Sequence, residues 1–302
     1  MRKKSYEPPR LLLGAGSLSE TARVPRDRML EVAERYQEPR SLAVTLSKAL
    51  DAGAEGVLAT PSPPLAEALA ELDRIVPVYA VLPDLPPTGR YDLRPLHLDP
   101  LDGGGGAAGG ARQAWTQLTR PLSGARFDFG LLVRLRLESE VAAVPRRALH
   151  GVVVAAGATD LALAGGHRRF FERLVPFIHR RFRARAAFET LNLGLLLARL
   201  REWNVRPDFV VGPVNPRGVM MKPSLAATLE EMARSQAPVV ATQLRATGVC
   251  TLQEGARFAL EHGALGLAPD LAEMDDVGGE LGRLRDWREA ELPARLEGSR
   301  RA

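Results

Sequence analysis

The stretch from Asp208 to Ala268 decides the fold, because one pattern occurs in it twice. The apolar run Asp208-Phe-Val-Val211 is followed by an amphipathic pattern over residues 224–235. The run Val239-Val-Ala241 is followed by a second such pattern, before Leu265-Gly-Leu-Ala268. Short apolar runs that alternate with helices through short loops are typical of parallel strands joined by helical crossovers. The stretch therefore predicts three parallel strands of one sheet.

The second helix of this stretch has signals at both ends. Thr251-Leu-Gln-Glu254 predicts a capping box, in which the threonine and the glutamate satisfy each other's free backbone amides. Gly263 can adopt the left-handed backbone that ends a helix.

The same alternation runs through the first 200 residues. Further strands are predicted at 11–14, 56–59, 78–82, 151–156 and 186–189, with helices at 41–52, 63–72, 169–182 and 192–203. Eight strands in about 300 residues predict an α/β fold, a (β/α)₈ TIM-type barrel. An open doubly wound sheet is the competing architecture, and it is less favoured because no glycine-rich dinucleotide turn follows the first strand.

The stretch 84–147 interrupts this rhythm. Gly103–Gly110 contains only glycine and alanine, which predicts a flexible link, and helices are expected at 111–118 and 131–144. We expect residues 1–302 to form a single barrel in which 84–147 is an enlarged, glycine-rich loop after the third strand. This insertion is either a lid over the site or a surface feature.

Composition excludes several classes of protein. Apolar residues make up 45% of the chain, which is enough to bury a core and excludes a disordered chain. Cys250 is the only cysteine, so no internal disulfide can form. The apolar run near the start is short, and no stretch approaches the length of a membrane span. We therefore expect a soluble, cytoplasmic protein.

The net charge of +5 is concentrated in one segment. His167–Arg185 holds seven arginines and one glutamate, a net charge of +6. Arginines among aromatics suit a nucleic-acid or membrane surface. The apolar residues also fall at helical spacing, which suits a barrel helix with its arginines in solvent; they are Phe170, Leu174, Phe177, Ile178 and Phe182. This packing interpretation predicts only weak, non-specific binding of polyanions.

Active sites of (β/α)₈ barrels lie at the carboxyl ends of the strands, and this rule selects the candidate residues. Glu189 follows three apolar residues at the end of the fifth predicted strand. A buried carboxyl group is costly unless it has a partner or a task, and burial raises a carboxyl pKa towards that of a general acid or base. Glu189 is therefore the first catalytic candidate, with a structural carboxylate as the alternative.

Two further candidates follow the sixth strand. Lys222 is one of four lysines in a chain that is otherwise rich in arginine. It suits an anion binder or, with a lowered pKa, a Schiff-base nucleophile, and a solvated lysine is the alternative. Asn215 lies between Pro213 and Pro216, where it either orients a substrate or stabilises a turn.

The remaining substrate-binding candidates are Asn192, Gln243, Arg245 and Asp270. Gln243 and Arg245 follow the seventh strand, where a barrel can bind a carboxylate or a phosphate. Pro269-Asp270 departs from the glycine-rich turn of a phosphate site, because proline lacks an amide and aspartate repels an anion. The sequence therefore predicts no phosphate site there.

No metal site is predicted, because the five histidines are scattered without ligand spacing. Mg²⁺ between Glu189 and Asp270 is a less favoured alternative. No nucleophile elbow is visible, and Cys250 is expected to be a packing residue.

Several segments resemble the aldo-keto reductase-like barrel superfamily. Leu13-Gly-Ala-Gly16 resembles the glycines of the family's first strand, and Ala49-Leu-Asp-Ala-Gly53 with Val57-Leu-Ala-Thr60 resembles its first helix and second strand. Asn192-Leu-Gly-Leu-Leu with residues 207–215 resembles its fifth helix and sixth strand. Val239–Ala241 and Ala268-Pro269 resemble its last two strands. Asn215 stands at the family's matching asparagine. The resemblance implies a barrel fold, with NADP(H) as cofactor.

The catalytic residues of that family do not carry over. Its aspartate would fall at Ala59, its tyrosine within Ser62-Pro-Pro64, its lysine near Leu82 and its histidine within Val154-Ala-Ala156. The tyrosine that stacks on nicotinamide is also absent after the seventh strand. The resemblance thus implies the fold without hydride transfer, and the sequence itself requires no cofactor.

Three hypotheses follow. The first is a metabolic enzyme for a small carbonyl-bearing or anionic substrate, with lyase, aldolase or isomerase chemistry. Glu189 would be its acid/base, Lys222 and Arg245 its carbonyl or anion binders, and Asn192, Asn215 and Gln243 its orienting amides. The second is a reductase-like barrel that binds NADP(H) or has lost catalysis. The third is a polyanion-binding protein that uses residues 167–185.

Overall fold

The computed structural model of the chain describes residues 7–19, 25–83 and 129–298. The strands in these ranges are Leu13–Gly14 (β1), Val57–Ala59 (β2), Val78–Leu82 (β3), Leu149–Val154 (β4), Arg185–Glu189 (β5), Phe209–Pro213 (β6), Val239–Thr242 (β7) and Gly266–Leu267 (β8). The helices are Arg26–Arg35 (α1), Pro39–Asp51 (α2), Pro63–Ala70 (α3), Phe129–Val141 (α4), Ala156–Ala164 (α5), Arg168–Phe182 (α6), Leu193–Trp203 (α7), Leu225–Arg234 (α8), Leu252–Glu261 (α9) and Val277–Gly298 (α10).

The eight strands pair in chain order, and every neighbouring pair is parallel. The first and last strands also meet, through bridges from Leu11 to Leu267 and from Gly14 to Asp270. The Gly14 amide donates to the Pro269 carbonyl at 2.7 Å along this seam. The predicted (β/α)₈ barrel is therefore confirmed.

Gly14 lets the two chain segments approach closely at the seam. A Cβ atom at this position would lie 3.0 Å from the Pro269 carbonyl oxygen and 3.1 Å from the Asp270 Cα. Both neighbours are backbone atoms that cannot rotate away, so a glycine is needed here for packing.

The barrel interior is filled by alternate side chains of the strands, as expected where one face of each strand points inward. These buried residues are Leu12, Leu58, Tyr79, Val81, Val153, Ala187, Phe209, Val211, Val240 and Ala268. The rings of Tyr79 and Phe209 contact each other edge to face, with their centroids 5.8 Å apart. Near the amino ends of the strands, the Arg185 guanidinium donates to the Tyr79 hydroxyl.

Helix α6 packs on the barrel by its aromatic face. Phe171 is fully buried, and its ring contacts those of Phe170, Phe188 and Trp203 at 5.0–5.4 Å. Of the five residues predicted to pack, Phe170, Leu174 and Ile178 are buried. Phe177 and Phe182 are half-buried and contact each other edge to face at 5.7 Å.

The exposed side of α6 holds the arginines. Arg168 pairs with Glu172 and Arg181 with Glu138, each at 2.7 Å. Arg169, Arg173, Arg180 and Arg183 are exposed.

The structure departs from the sequence prediction at the end of the fourth strand and at three helices. The fourth strand was expected to reach Ala156, but it ends at Val154 and helix α5 begins at Ala156. The prediction was wrong there because this alanine-rich helix has no clear apolar stripe. Helices α1 and α10 were not predicted either; α10 packs against α2 and buries Leu281 and Leu284.

The insertion falls mostly outside the described residues. The glycine-rich segment 103–110 and the expected helix at 111–118 both lie there. Helix α4 stands where a helix was expected at 131–144. By its contacts the chain divides into a barrel unit, Met1–Leu85 with Gly130–Ala302, and a unit Pro86–Phe129, of which only Phe129 is described. Among the described helices, none is long and apolar enough to cross a membrane.

Candidate functional site

Glu189 lies at the carboxyl end of β5 and faces the barrel interior. Ala187, two residues earlier, belongs to the interior core, and side chains two apart on a strand point the same way. Glu189 is half-buried, and its Oε2 accepts a hydrogen bond from the Ala156 amide at 3.1 Å. Ala156 is the first residue of α5, and a helix N-terminus favours a negative charge. The carboxyl group is thus held at the mouth of the barrel.

Asp160 of α5 holds the loop that follows Glu189. Its carboxylate accepts hydrogen bonds from the Thr190 hydroxyl and, at 3.0 Å, from the Leu191 amide. The Thr190 oxygen in turn accepts from the Asn192 amide at 2.8 Å. Thr190 is fully buried, so α5 positions both the end of β5 and the start of α7.

Asn192 immediately precedes α7 and is half-buried. Its side chain makes no capping hydrogen bond to the helix. Asn192 lies in the loop that follows Glu189, three residues after Glu189 and two after Thr190. Its role in substrate binding stays a prediction.

Asp270 and Glu273 form a second group, at the end of β8. Asp270 accepts from the amides of Ser17 at 3.3 Å and Ala272 at 3.0 Å. Glu273 accepts from the amides of Arg245 at 3.2 Å and Asp270 at 3.0 Å. The two carboxyl groups thus accept hydrogen bonds from backbone amides of the segments that follow β1, β7 and β8. We call Asp270 and Glu273 the acid pair.

Burial dominates the titration of the acid pair. Asp270 and Glu273 are only 8% and 3% exposed. Burial raises the pKa of Asp270, against the hydrogen bonds from Ser17, Ala272 and Gly16. Burial also raises the pKa of Glu273 to about 7; the negative charge of Asp270 adds to this, while the amides of Asp270 and Arg245 and the charge of Arg245 oppose it. Glu273 therefore titrates in the neutral range.

Arg245 belongs to the loop after β7 and is tied to the acid pair. Besides its amide contact, its Nη1 donates to the Glu273 carbonyl at 2.8 Å. Gln243, at the start of the same loop, is 8% exposed, and its Oε1 has no hydrogen-bond partner among the described residues.

The loop after β7 has an unusual backbone. Gln243, Ala246 and Thr247 have positive φ angles of 54°, 49° and 60°, which residues other than glycine rarely adopt. Helix α9 packs closely against the loop at Gly255, where a Cβ atom would lie 1.9 Å from the Leu244 carbonyl oxygen. Such strain persists only where the surroundings impose it, and it is common at functional sites.

Asn215 and Lys222 lie in the loop after β6. Asn215 is fully buried, and its side chain donates to the Val219 carbonyl at 2.9 Å and accepts from the Val219 amide at 3.0 Å. Its amide closes a turn, which is one of the two roles predicted for it.

Lys222 is exposed, and its carbonyl accepts from the Gly194 amide at 3.0 Å and the Thr228 hydroxyl at 3.2 Å. The catalytic roles of Lys222 and Glu189 stay predictions.

The structure thus gathers the predicted residues into three places rather than one. Glu189 and Asn192 lie after β5, Asn215 and Lys222 after β6, and Gln243, Arg245 and Asp270 around the β7–β8 end. Glu273 was missed, although Asp270-Leu-Ala-Glu273 has the spacing of a capping box and forms one. Within the described part of the chain, no group of three or more His, Cys, Asp or Glu side chains can hold a metal ion.

NADP(H), which the family resemblance implies, does not fit the β7–β8 end. Phosphates bind where backbone amides at a helix or turn are open to them. Here the amides of Ser17, Ala272, Asp270 and Arg245 already donate to the acid pair. A phosphate at this place would also face two buried carboxyl groups, so no step of the reaction is assigned to this cofactor.

Two of the positions that match the reductase family's catalytic residues are apolar and buried in the structure. Ala59 and Leu82 are both 1% exposed, in β2 and β3. Neither can exchange a proton with a substrate.

Comparisons with known proteins give distant similarities. No protein-family model matches the chain, and no curated protein does so either. Among solved structures, an N-acetylmannosamine-6-phosphate 2-epimerase from Clostridium perfringens has a TM-score of 0.45 at 12% identity, covering 92% of each chain. QR15, an aldolase, has a TM-score of 0.45 at 13% identity, covering 94% of this chain and 98% of that one.

An aldo/keto reductase from Brucella melitensis has a TM-score of 0.42 at 10% identity, covering 91% of this chain and 92% of that one. The fold rests on the strand pairing described above, and these similarities add nothing about the reaction.

Proposed function

We propose that this protein is a small-molecule enzyme that acts at the carboxyl ends of the barrel strands, with Glu189 as its acid/base. One observation carries the proposal: Glu189 ends β5 on the interior side and is held at the barrel mouth by the Ala156 amide. A carboxyl group that is fixed in direction and half-buried suits the transfer of a proton to or from a bound substrate.

The reaction class is an isomerisation or a lyase reaction of a carbonyl compound. In an isomerisation, a base removes a proton from the carbon next to the carbonyl, and the electron pair moves onto the carbonyl oxygen as an enolate. In a lyase reaction of the aldol type, the base removes the proton of the hydroxyl on the second carbon from the carbonyl; a new C=O bond forms there, the bond between the two carbons breaks, and its electron pair moves onto the carbonyl oxygen. Glu189 takes that proton. Asn192 and Gln243 orient the substrate, and Lys222 and Arg245 act on its carbonyl or anionic end.

Deuterium exchange tests this proposal without knowledge of the full reaction. The protein is incubated in D₂O with a panel of hydroxyaldehydes, hydroxyketones and 2-oxo acids, and deuterium next to the carbonyl is measured by mass spectrometry. We expect exchange in at least one compound. Glu189→Gln should abolish it, because the amide cannot accept the proton.

The matched control is Glu67→Gln, which changes an exposed glutamate on α3 and should exchange at the wild-type rate. Absence of exchange in every compound, or undiminished exchange in Glu189→Gln, would contradict the proposal.

A further inference from the structure

Two threonines lie on the interior side of the barrel, at the carboxyl ends of β2 and β7. Leu58 and Val240 belong to the interior core, and side chains two apart on a strand point the same way. Thr60 and Thr242 occupy the next interior positions on these two strands, so their side chains lie at the mouth of the barrel. Thr60 is 4% exposed, and Thr242 is half-buried.

The hydroxyls of these two threonines have no hydrogen-bond partner among the described residues. The other threonines of the described ranges all use their hydroxyl in a hydrogen bond within the protein; they are Thr45, Thr159, Thr190, Thr228, Thr247 and Thr251. Gln243, directly after Thr242, has a buried Oε1 that also lacks a partner in this part of the chain. Since polar groups inside a protein are nearly always paired, these side chains are available to a ligand.

The strand register places Thr242 beside Glu189. Glu189 pairs with Val211, and Val211 pairs with Val240. The strands of such a barrel are tilted, so a layer of interior side chains moves on by about one residue towards the carboxyl end with each strand, and alternate strands supply its members. Two strands after β5, the layer of Glu189 therefore reaches Thr242. On β1, opposite β5, it reaches Gly14, which has no side chain to fill the space in front of Glu189.

The charged groups around this layer are acidic. Glu189 belongs to it, and Asp270 is the interior position that follows Ala268 at the end of β8. Arg245 is tied to Glu273, whose carbonyl accepts from its Nη1 at 2.8 Å. An anionic group of a ligand would therefore face two carboxyl groups here. A threonine hydroxyl both donates and accepts, so it fits an uncharged hydroxyl group of a ligand.

We propose that Thr60 and Thr242 determine the substrate class of the site, by binding hydroxyl groups of an uncharged hydroxyaldehyde or hydroxyketone. Thr242 binds the hydroxyl on the carbon next to the carbonyl, because it lies beside Glu189. The inference rests on the proposed function for the role of Glu189, and it selects one of the substrate classes left open there. A 2-oxo acid would leave both hydroxyls unpaired and would bring its carboxylate towards Glu189 and Asp270.

Saturation-transfer NMR tests this binding without turnover. The probes are dihydroxyacetone and erythrulose, which are uncharged hydroxyketones, and pyruvate, an anionic 2-oxo acid of similar size. We expect saturation transfer to both hydroxyketones and none above background to pyruvate. Thr60→Val with Thr242→Val keeps the shape of both side chains and removes both hydroxyls. Titration of each hydroxyketone should then show an affinity lower by at least about fivefold, the contribution of one hydrogen bond between uncharged groups.

Thr45→Val is the matched control, because the Thr45 hydroxyl on α2 already donates to the Ser41 carbonyl at 3.0 Å. This variant should bind both hydroxyketones as the wild type does. Urea denaturation of the double variant provides a second readout. Its midpoint should equal that of the wild type, because neither Thr60 nor Thr242 loses a hydrogen bond within the described part of the protein.

Four results would overturn the proposal. They are no transfer to either hydroxyketone, undiminished binding in the double variant, tighter binding of pyruvate than of the hydroxyketones, and a clear loss of stability in the double variant, which would make the two hydroxyls structural.

Glu189→Gln separates this inference from the proposed function. It should still bind both hydroxyketones, because binding needs no proton transfer. If binding depends on the two threonine hydroxyls but no compound exchanges deuterium, the acid/base role of Glu189 fails and the substrate class stands. If deuterium exchange is confined to 2-oxo acids, the role of Glu189 stands and the substrate class is wrong.

Discussion

The Ala156 amide nitrogen lies 3.1 Å from Glu189 Oε2, so the first residue of the helix after β4 holds the carboxyl group at the end of β5. We expect Glu189→Gln to fold and to keep this contact, since glutamine retains an acceptor oxygen. Turnover should fall by at least about 100-fold, the usual contribution of a general acid or base. Circular dichroism checks the fold, and steady-state kinetics check the loss. Full activity in the variant would remove Glu189 from the mechanism.

Reductase chemistry should be absent. The positions that match the aspartate and the lysine of the reductase family hold Ala59 and Leu82, which are apolar and buried. We expect no oxidation of NADPH above background with a panel of aldehydes and ketones, followed at the absorbance of the reduced nicotinamide. Clear turnover would favour the reductase-like alternative.

Phe171→Ala should destabilise the barrel strongly. Phe171 is fully buried between α6 and the sheet, and three other aromatic rings contact it. Removal of such a side chain leaves a cavity and costs about 3–5 kcal/mol in the free energy of unfolding. Urea denaturation measures the loss, with Phe177→Ala at the half-buried edge of the same helix as the milder control. Equal losses in both variants would contradict the packing described for α6.

The stability of the protein should depend on pH through Glu273. Its folded pKa, about 7, lies above the value of 4.5 for an exposed glutamate, so the folded state keeps the proton that the unfolded chain releases. The stabilisation is complete below pH 4.5 and is lost as pH rises through 7. Between pH 5 and 8 the wild type should lose on the order of 1–3 kcal/mol relative to Glu273→Gln.

Thermal or urea unfolding of both proteins at each pH measures this difference, since other titrating groups are common to both. A difference that is constant with pH, or that grows in favour of the wild type as pH rises, would show that folding does not raise the pKa of Glu273.

Binding of polyanions through α6 should be weak and strongly salt-dependent. Arg180 and Arg181 are exposed, while the aromatic residues of the helix are largely used for packing. Such binding rests on counterion release, so its logarithm should fall linearly with the logarithm of salt concentration. Arg180→Ala with Arg181→Ala should reduce the slope by about 2. Tight, sequence-selective binding at physiological salt that this double variant loses would contradict the prediction.

Much of the barrel was predictable because strand and helix periods are local properties of the sequence. The strand at 78–82 and the capping box at Thr251 and Glu254 needed no knowledge of the rest of the chain. Helix α5 was not predictable in this way, because its alanines fit a buried strand as well as a buried helix. Its position follows from packing against β5.

The candidate site was less predictable than the fold, because local sequence patterns do not show which side chains become buried. The position of Glu189 at a strand end followed from the strand pattern. The importance of Glu273 did not follow from the sequence, because its capping box has the same spacing as that of Glu254. Glu273 is buried only because three loops come together around it. Burial of a single carboxyl group depends on contacts far apart in sequence, such as Glu273 with Arg245.

The seam between the first and last strands has a consequence for synthesis of the chain. The Leu12 amide donates to the Leu267 carbonyl at 2.8 Å, and this acceptor is made about 250 residues later. At ribosomal rates of synthesis, the outer edge of β1 therefore stays unpaired for roughly 10–50 s, until β8 has been made. An unpaired strand edge attracts other chains during that time. The nascent protein must keep this edge covered or isolated until its last strand has left the ribosome.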